Sequence, residues 1–139
     1  MLEVTDEVPG TSELIAWFGH WPSFHDAEVL EVALRRSGNS TIRIHAFEMT
    51  DQVNSQGFFI QTKHVIVSFV LEGVTNLHLD CFNKQNVISG LLLKQTAEGY
   101  ELGLDGCYGI EGTITADRIH LELQHGLPPD SQYLKLAGI

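Results

Sequence analysis

The sequence predicts a mainly β protein of the α+β class: one antiparallel sheet or two packed sheets of about eight strands, with a short N-terminal helix on one face. Three features predict it. From residue 27 onward, apolar residues recur at period two. Turn-forming clusters separate these runs by short gaps, which join antiparallel neighbours, whereas parallel pairs need crossovers of roughly a dozen residues. Only one stretch, near the N-terminus, carries helical spacing.

The first ten residues are polar and end in the turn signal Pro9-Gly10. Thr11 or Ser12 can then cap a helix whose stripe is Leu14, Ile15 and Phe18, with Gly19 as its stop. About two turns long, it holds only if packed on something else. Leu30, Val32 and Leu34 alternate in the first strand, and Ser37-Gly38-Asn39-Ser40 turns it into a second with Ile42, Ile44 and Ala46. Residues 49–57 are polar and read as a loop. A long strand over residues 58–71 carries Val67 and Phe69 and is broken by Gly73; alternation resumes over residues 76–82. After a turn at Asn83-Lys84-Gln85-Asn86, residues 87–94 read as a strand, with a short helix as the alternative for this Leu-rich run. Residues 100–104 form the next strand, followed by the glycine-rich stretch 106–112. A final hairpin pairs residues 113–116 with 118–123 around Asp117, contributing Leu121 and Leu123 to the core, and the tail closes as irregular chain.

At 139 residues, the chain has the size of a single domain, 1–139, large enough to bury a core without staples. With 43% hydrophobic and 19% charged residues it belongs with ordinary globular chains. Cys81 and Cys107 are too few and too far apart for a disulfide framework or a CxxC zinc pair, and their apolar surroundings suggest buried reduced thiols. The N-terminus lacks the basic and apolar regions of a signal peptide, and no run is long enough to span a membrane, so the cytoplasm is the expected location. Eighteen acids against eight bases give a net charge of −10, which argues against nucleic acid and suits a basic partner. A homodimer is compatible with the sequence.

The densest polar cluster is Trp21-Pro22-Ser23-Phe24-His25-Asp26-Ala27-Glu28, between the helix and the first strand. Carried backward, the phase of Leu30, Val32 and Leu34 turns Asp26 and Glu28 inward and His25 outward. Buried carboxylates must be bonded or paired. The segment therefore reads either as a metal or acid–base site, or as a structural joint in which Asp26 and His25 satisfy backbone groups. Trp17, Phe18, Trp21 and Phe24 are expected to plug the helix onto the sheet, with an exposed aromatic recognition patch as the alternative. The other histidines are scattered and form no HxH, HxxxH or HExxH spacing, no GxSxG elbow is present, and the glycines at 106, 109 and 112 do not follow GxGxxG. The residues thus predict no catalytic group, no metal and no cofactor.

The string Trp21-Pro22-Ser23-Phe24-His25-Asp26-Ala27-Glu28-Val29, followed by Asn86-Val87-Ile88 and Tyr108-Gly109-Ile110-Glu111-Gly112, resembles the immunity protein 50 family of bacterial polymorphic toxin systems over about residues 14–123. The resemblance implies an intracellular antidote that binds and blocks a cognate protein toxin, without catalysis. The alternatives are a small metal- or ligand-binding enzyme centred on His25, Asp26 and Glu28, or an oligomeric scaffold domain unconnected with toxins.

Overall fold

The computed structural model describes residues 8–134. The polar lead 1–7 and the last tail residues, 135–139, lie outside the described residues. Within them the chain forms one helix and six strands: α1 (Thr11–Phe18), β1 (Glu28–Ala33), β2 (Asn39–Val53), β3 (Phe59–Asp80), β4 (Val87–Thr96), β5 (Gly99–Tyr108) and β6 (Glu111–His125). All pairings are antiparallel, and the sheet closes on itself in the order β1-β2-β3-β6-β5-β4.

Six strands replace the expected eight because two anticipated breaks are bends instead. Gly73 does not end β3, nor does Asp117 open a hairpin in β6. The two long strands run side by side from Val65↔His125 to Asp80↔Glu111, with Gly73 and Asp117 opposite one another between Glu72↔Arg118 and Val74↔Ala116. Gly73 has φ +67, and a Cβ there would lie 2.3 Å from an Asp117 carboxylate oxygen. The same residue types that form turns here let two paired strands bend together while most of their ladder stays paired. Residues 49–53 are likewise strand rather than loop. They extend β2 beyond the barrel as an arm paired with β3 alone, closed by a turn at residues 54–57 in which Asn54 Oδ1 accepts from the amides of Gln56 and Phe58. The Leu-rich run 87–94 is strand.

The core contains Phe69, Ile42, Ile44 and Val67, all fully buried, together with Leu121; Val32 and Leu123 pack against it part-buried. Leu30 is only half-buried and Leu34 is exposed. The half-burial of Leu30 comes from a register shift in β1 between Val29 and Glu31: Val29 opposes Ile44 and Val32 opposes Ile42, leaving Leu30 as the extra residue, whereas Leu34 lies beyond the end of β1 at Ala33. Cys81 and Cys107 are exposed free thiols rather than buried ones.

No Thr11 or Ser12 side chain caps α1. Gly10 stands at its N-cap with φ 95, and the Thr11 hydroxyl instead donates to the Val8 carbonyl at 2.7 Å. Glycine is required there because a Cβ would come within 2.2 Å of the Leu121 carbonyl oxygen, where the chain leading into α1 lies on β6. Gly19 ends the helix as expected, its amide bonded to the Ile15 carbonyl. Leu14 and Phe18 face the core, whereas Trp17 stays on the surface. Its indole donates to the Lys63 carbonyl at 2.8 Å, and its ring lies 4.3 Å from that of His125.

Candidate functional site

Segment 21–28 connects α1 to β1 and closes the barrel. The β1–β4 ladder contains a single residue pair, Glu28↔Val87. Closure is reinforced by backbone bonds from the Asp26 amide to the Ile88 carbonyl (2.9 Å), from the Ile88 amide to the Ala27 carbonyl (2.9 Å) and from the Val29 amide to the Asn86 carbonyl (2.8 Å). Phe24 and Asp26 adopt left-handed φ values of 58 and 63, an uncommon conformation held by these surrounding bonds. Phe24 is buried, its ring 5.6 Å from Trp21 and 6.0 Å from Phe69. The joint's bonds thus come from Asp26's backbone rather than its carboxylate.

The expectation that Asp26 and Glu28 both face the core fails. The bulge in β1 puts Val29 inside, so Glu28 and its cross-strand partner His45 share the opposite face. Both are nevertheless sealed, Glu28 at 4% exposure and His45 at 0%. What covers Glu28 is a turn from the far end of the chain. The Ser131 hydroxyl donates to Glu28 Oε1 and the Gln132 amide to Oε2 at 2.9 Å, while the Tyr133 hydroxyl donates to the Asp26 carbonyl at 2.8 Å. His45 Nδ1 lies 2.7 Å from Glu28 Oε1, and His45 Nε2 lies 2.9 Å from His64 Nδ1. With both rings neutral, one arrangement satisfies every group: His45 donates from Nδ1 to the carboxylate and accepts at Nε2 from His64. Phe47 and Tyr133 pack edge to face nearby, with ring centroids 5.1 Å apart.

Electrostatics follow from this closure. Burial pushes the Glu28 carboxyl up, but the bonds from His45, Ser131 and the Gln132 amide outweigh it and hold the group below the usual value. Burial, reinforced by the neighbouring His45, pushes His64 down. Tyr133 is pushed up to about 12 by burial, then by the negative charges of Asp26 and Glu28.

The structure therefore divides the predicted residues. Trp21, Phe24 and Glu28 face packed surroundings, whereas Ser23, His25 and Asp26 line an open cleft of about 400 Å³ between segment 18–26 and the β2–β3 arm. There the His25 ring reaches the Ser89 carbonyl only at 3.4 Å, and its Nε2 lies 3.6 Å from the Asp26 carboxylate. His25 and Glu28 do not converge. Sequence reasoning missed His45, His64, Ser131 and Tyr133. The one available signal was His45 on the polar side of an Ile42-Ile44 alternation. Its pairing with Glu28 depends on strand register, and Ser131 reaches Glu28 across 103 residues of sequence.

Among the described residues, no helix is long and apolar enough to cross a membrane. Neither a curated protein nor a solved structure matches this chain. A family model described as Immunity protein 50 matches residues 10–125, from the glycine before α1 to the last residue of β6. The chain belongs to the immunity protein 50 family.

Proposed function

We propose that this protein neutralises a cognate protein toxin inside the cell that makes it, by binding and without catalysis. The carrying observation is the family match over residues 10–125. The site geometry supports binding over chemistry. A general acid or base must come within hydrogen-bond reach of substrate, and the group of carboxylate and imidazoles best arranged for proton transfer has Glu28 and His45 sealed beneath residues 131–133. The enzyme alternative needed His25, Asp26 and Glu28 to meet, and Glu28 is turned away from the cleft that His25 and Asp26 line. Trp21, Phe24 and Glu28 serve in this reading as a structural joint. The net charge of −10 suits a basic toxin under electrostatic steering and disfavours nucleic acid as the partner.

The test is co-expression with a candidate toxin domain, sought among the genes adjacent to this chain's own. Protection of growth and a stable complex of the two purified proteins are expected; intoxication unrelieved by this chain would reject the reading. Elemental analysis of protein purified without chelators should give zinc, manganese and iron well below one equivalent. A stoichiometric metal lost on changing His25 or Asp26 would favour the enzyme alternative.

A further inference from the structure

Nine large hydrophobic side chains are exposed among the described residues, and four of them lie on the β2–β3 arm: Met49 (44%), Phe58 (47%), Phe59 (55%) and Val53 (57%). Val53 and Phe59 are cross-strand partners, so their side chains share one face. Single exposed apolar residues are ordinary, but a group concentrated at the end of a protruding ribbon marks an interaction surface. The arm also lines the 400 Å³ cleft, through Met49 and Phe59, next to the buried Phe47. Phe18 and Pro22 supply apolar lining opposite, and Asp26 and Glu48 add two carboxylates. The lining includes no Lys or Arg. Over residues 48–61 the arm carries Glu48 and Asp51 and no basic residue. Lys63, just beyond it, reaches one oxygen of Glu48 at 3.4 Å.

An exposed aromatic ring, Phe59, beside the carboxylates of Asp26 and Glu48 matches one kind of side chain well. A guanidinium stacks its weakly hydrated face on aromatic rings and turns its N–H edge to carboxylates, whereas an ammonium is a compact charge that holds its water more tightly. We infer that this cleft and the adjoining arm tip form the surface that takes the toxin, and that a basic patch of the toxin enters with an arginine side chain in the cleft. The inference rests on the immunity reading and assigns the surface that reading leaves open. The outward half of segment 21–28, Ser23, His25 and Asp26, then borders the interface, while its inward half, Trp21, Phe24 and Glu28, supports it from behind.

The experiment measures affinity for the toxin domain that the co-expression test identifies, by calorimetry, for wild type and four variants. Phe59→Ser removes apolar surface at the cleft, and Asp26→Asn removes a charge with a residue that tolerates the left-handed backbone there. Phe82→Ser and Asp105→Asn make the same chemical changes away from the cleft, at exposed Phe82 and in a separate acidic groove. The inference expects at least about a tenfold loss for each cleft variant and less than about twofold for each control, with all four melting as wild type does. A double-mutant cycle between Asp26→Asn and single Arg→Ala changes in the toxin should find one coupled arginine. If wild type fails to bind, the immunity reading falls and this occupant with it. If wild type binds and the cleft variants bind equally well, or no arginine couples to Asp26, the immunity reading stands and the cleft assignment is overturned. A wild-type dimer in sedimentation that Phe59→Ser dissociates would identify the occupant as a second copy of this chain, and would also overturn it.

Discussion

The two halves of β2 show opposite solutions to the same problem. From Thr41 to His45 the strand has a neighbour on each side, β1 and β3, and Ile42, Ile44 and His45 are buried with none of the five side chains exposed. From Met49 to Val53 it has β3 alone, with a register irregularity, and most of its side chains lie in solvent. In the first half even the polar side chain is satisfied: His45 is bonded at both ring nitrogens and covered. In the second half apolar side chains are left uncovered. A two-stranded ribbon has too little burial to be stable by itself, so the arm depends on the barrel for its form. The barrel half specifies the fold, and the arm half is free to meet something else.

The largest expected effect tests the barrel half. Phe69→Ala, at a fully buried ring in contact with Phe24, should cost about 3–5 kcal/mol in urea unfolding. Equal costs for Phe69→Ala and Phe58→Ala would erase the contrast between core and arm.

Glu28→Ala comes next. It leaves the His45 N–H, the Ser131 hydroxyl and the Gln132 amide without their acceptor, and should destabilise by about 1–3 kcal/mol. Hydrogen exchange should also rise at residues 131–134. Unchanged exchange there would mean that Glu28 does not hold the turn.

A third outcome concerns pH. His64 is depressed in the folded protein from 6.5, so the unfolded chain takes up its proton first and stability declines as pH falls below that value. Glu28 is depressed from 4.5 and adds a second decline below that pH. Both have the same sign: stability is present above the unfolded value and is lost through the folded one. Glu28→Gln should flatten the lower limb and His64→Asn the upper one in urea midpoints measured from pH 7 to about 3. A midpoint independent of pH between 7 and 5 would contradict the assignment of His64.

The smallest effect sharpens the arm half. Val53→Ser and Phe58→Ser, at exposed positions, should each shift stability by no more than about 0.5 kcal/mol while reducing the binding of a hydrophobic dye. A loss of several kcal/mol would show that these side chains pack on the barrel in solution.

Much of the fold was legible because alternation is a local property. Ile42 and Ile44 follow from period two, Val67 and Phe69 from a near-continuous apolar run and Leu121 from the last strand, and all are buried. The errors lay where partners override local preference. Gly73 and Asp117 form turns in isolation, yet opposite one another they form a shared bend. The run 49–53 is polar, yet its pairing with β3 keeps it extended. Leu34 alternates correctly and is still exposed, since β1 ends at Ala33.

By itself the sequence determined the mainly β class, the helix stop at Gly19, the acidic surface and the segment 21–28 that carries the family resemblance, because composition, turn chemistry and alternation are written along the chain. Only the tertiary structure decided that the sheet closes into a barrel, that one extra residue in β1 turns Glu28 to the outer face, and that His45, His64 and residues 131–133 meet it there. The physical reason is register. A shift of one residue reverses which face every side chain takes, and register is fixed by pairings between segments far apart in sequence, which no local pattern records.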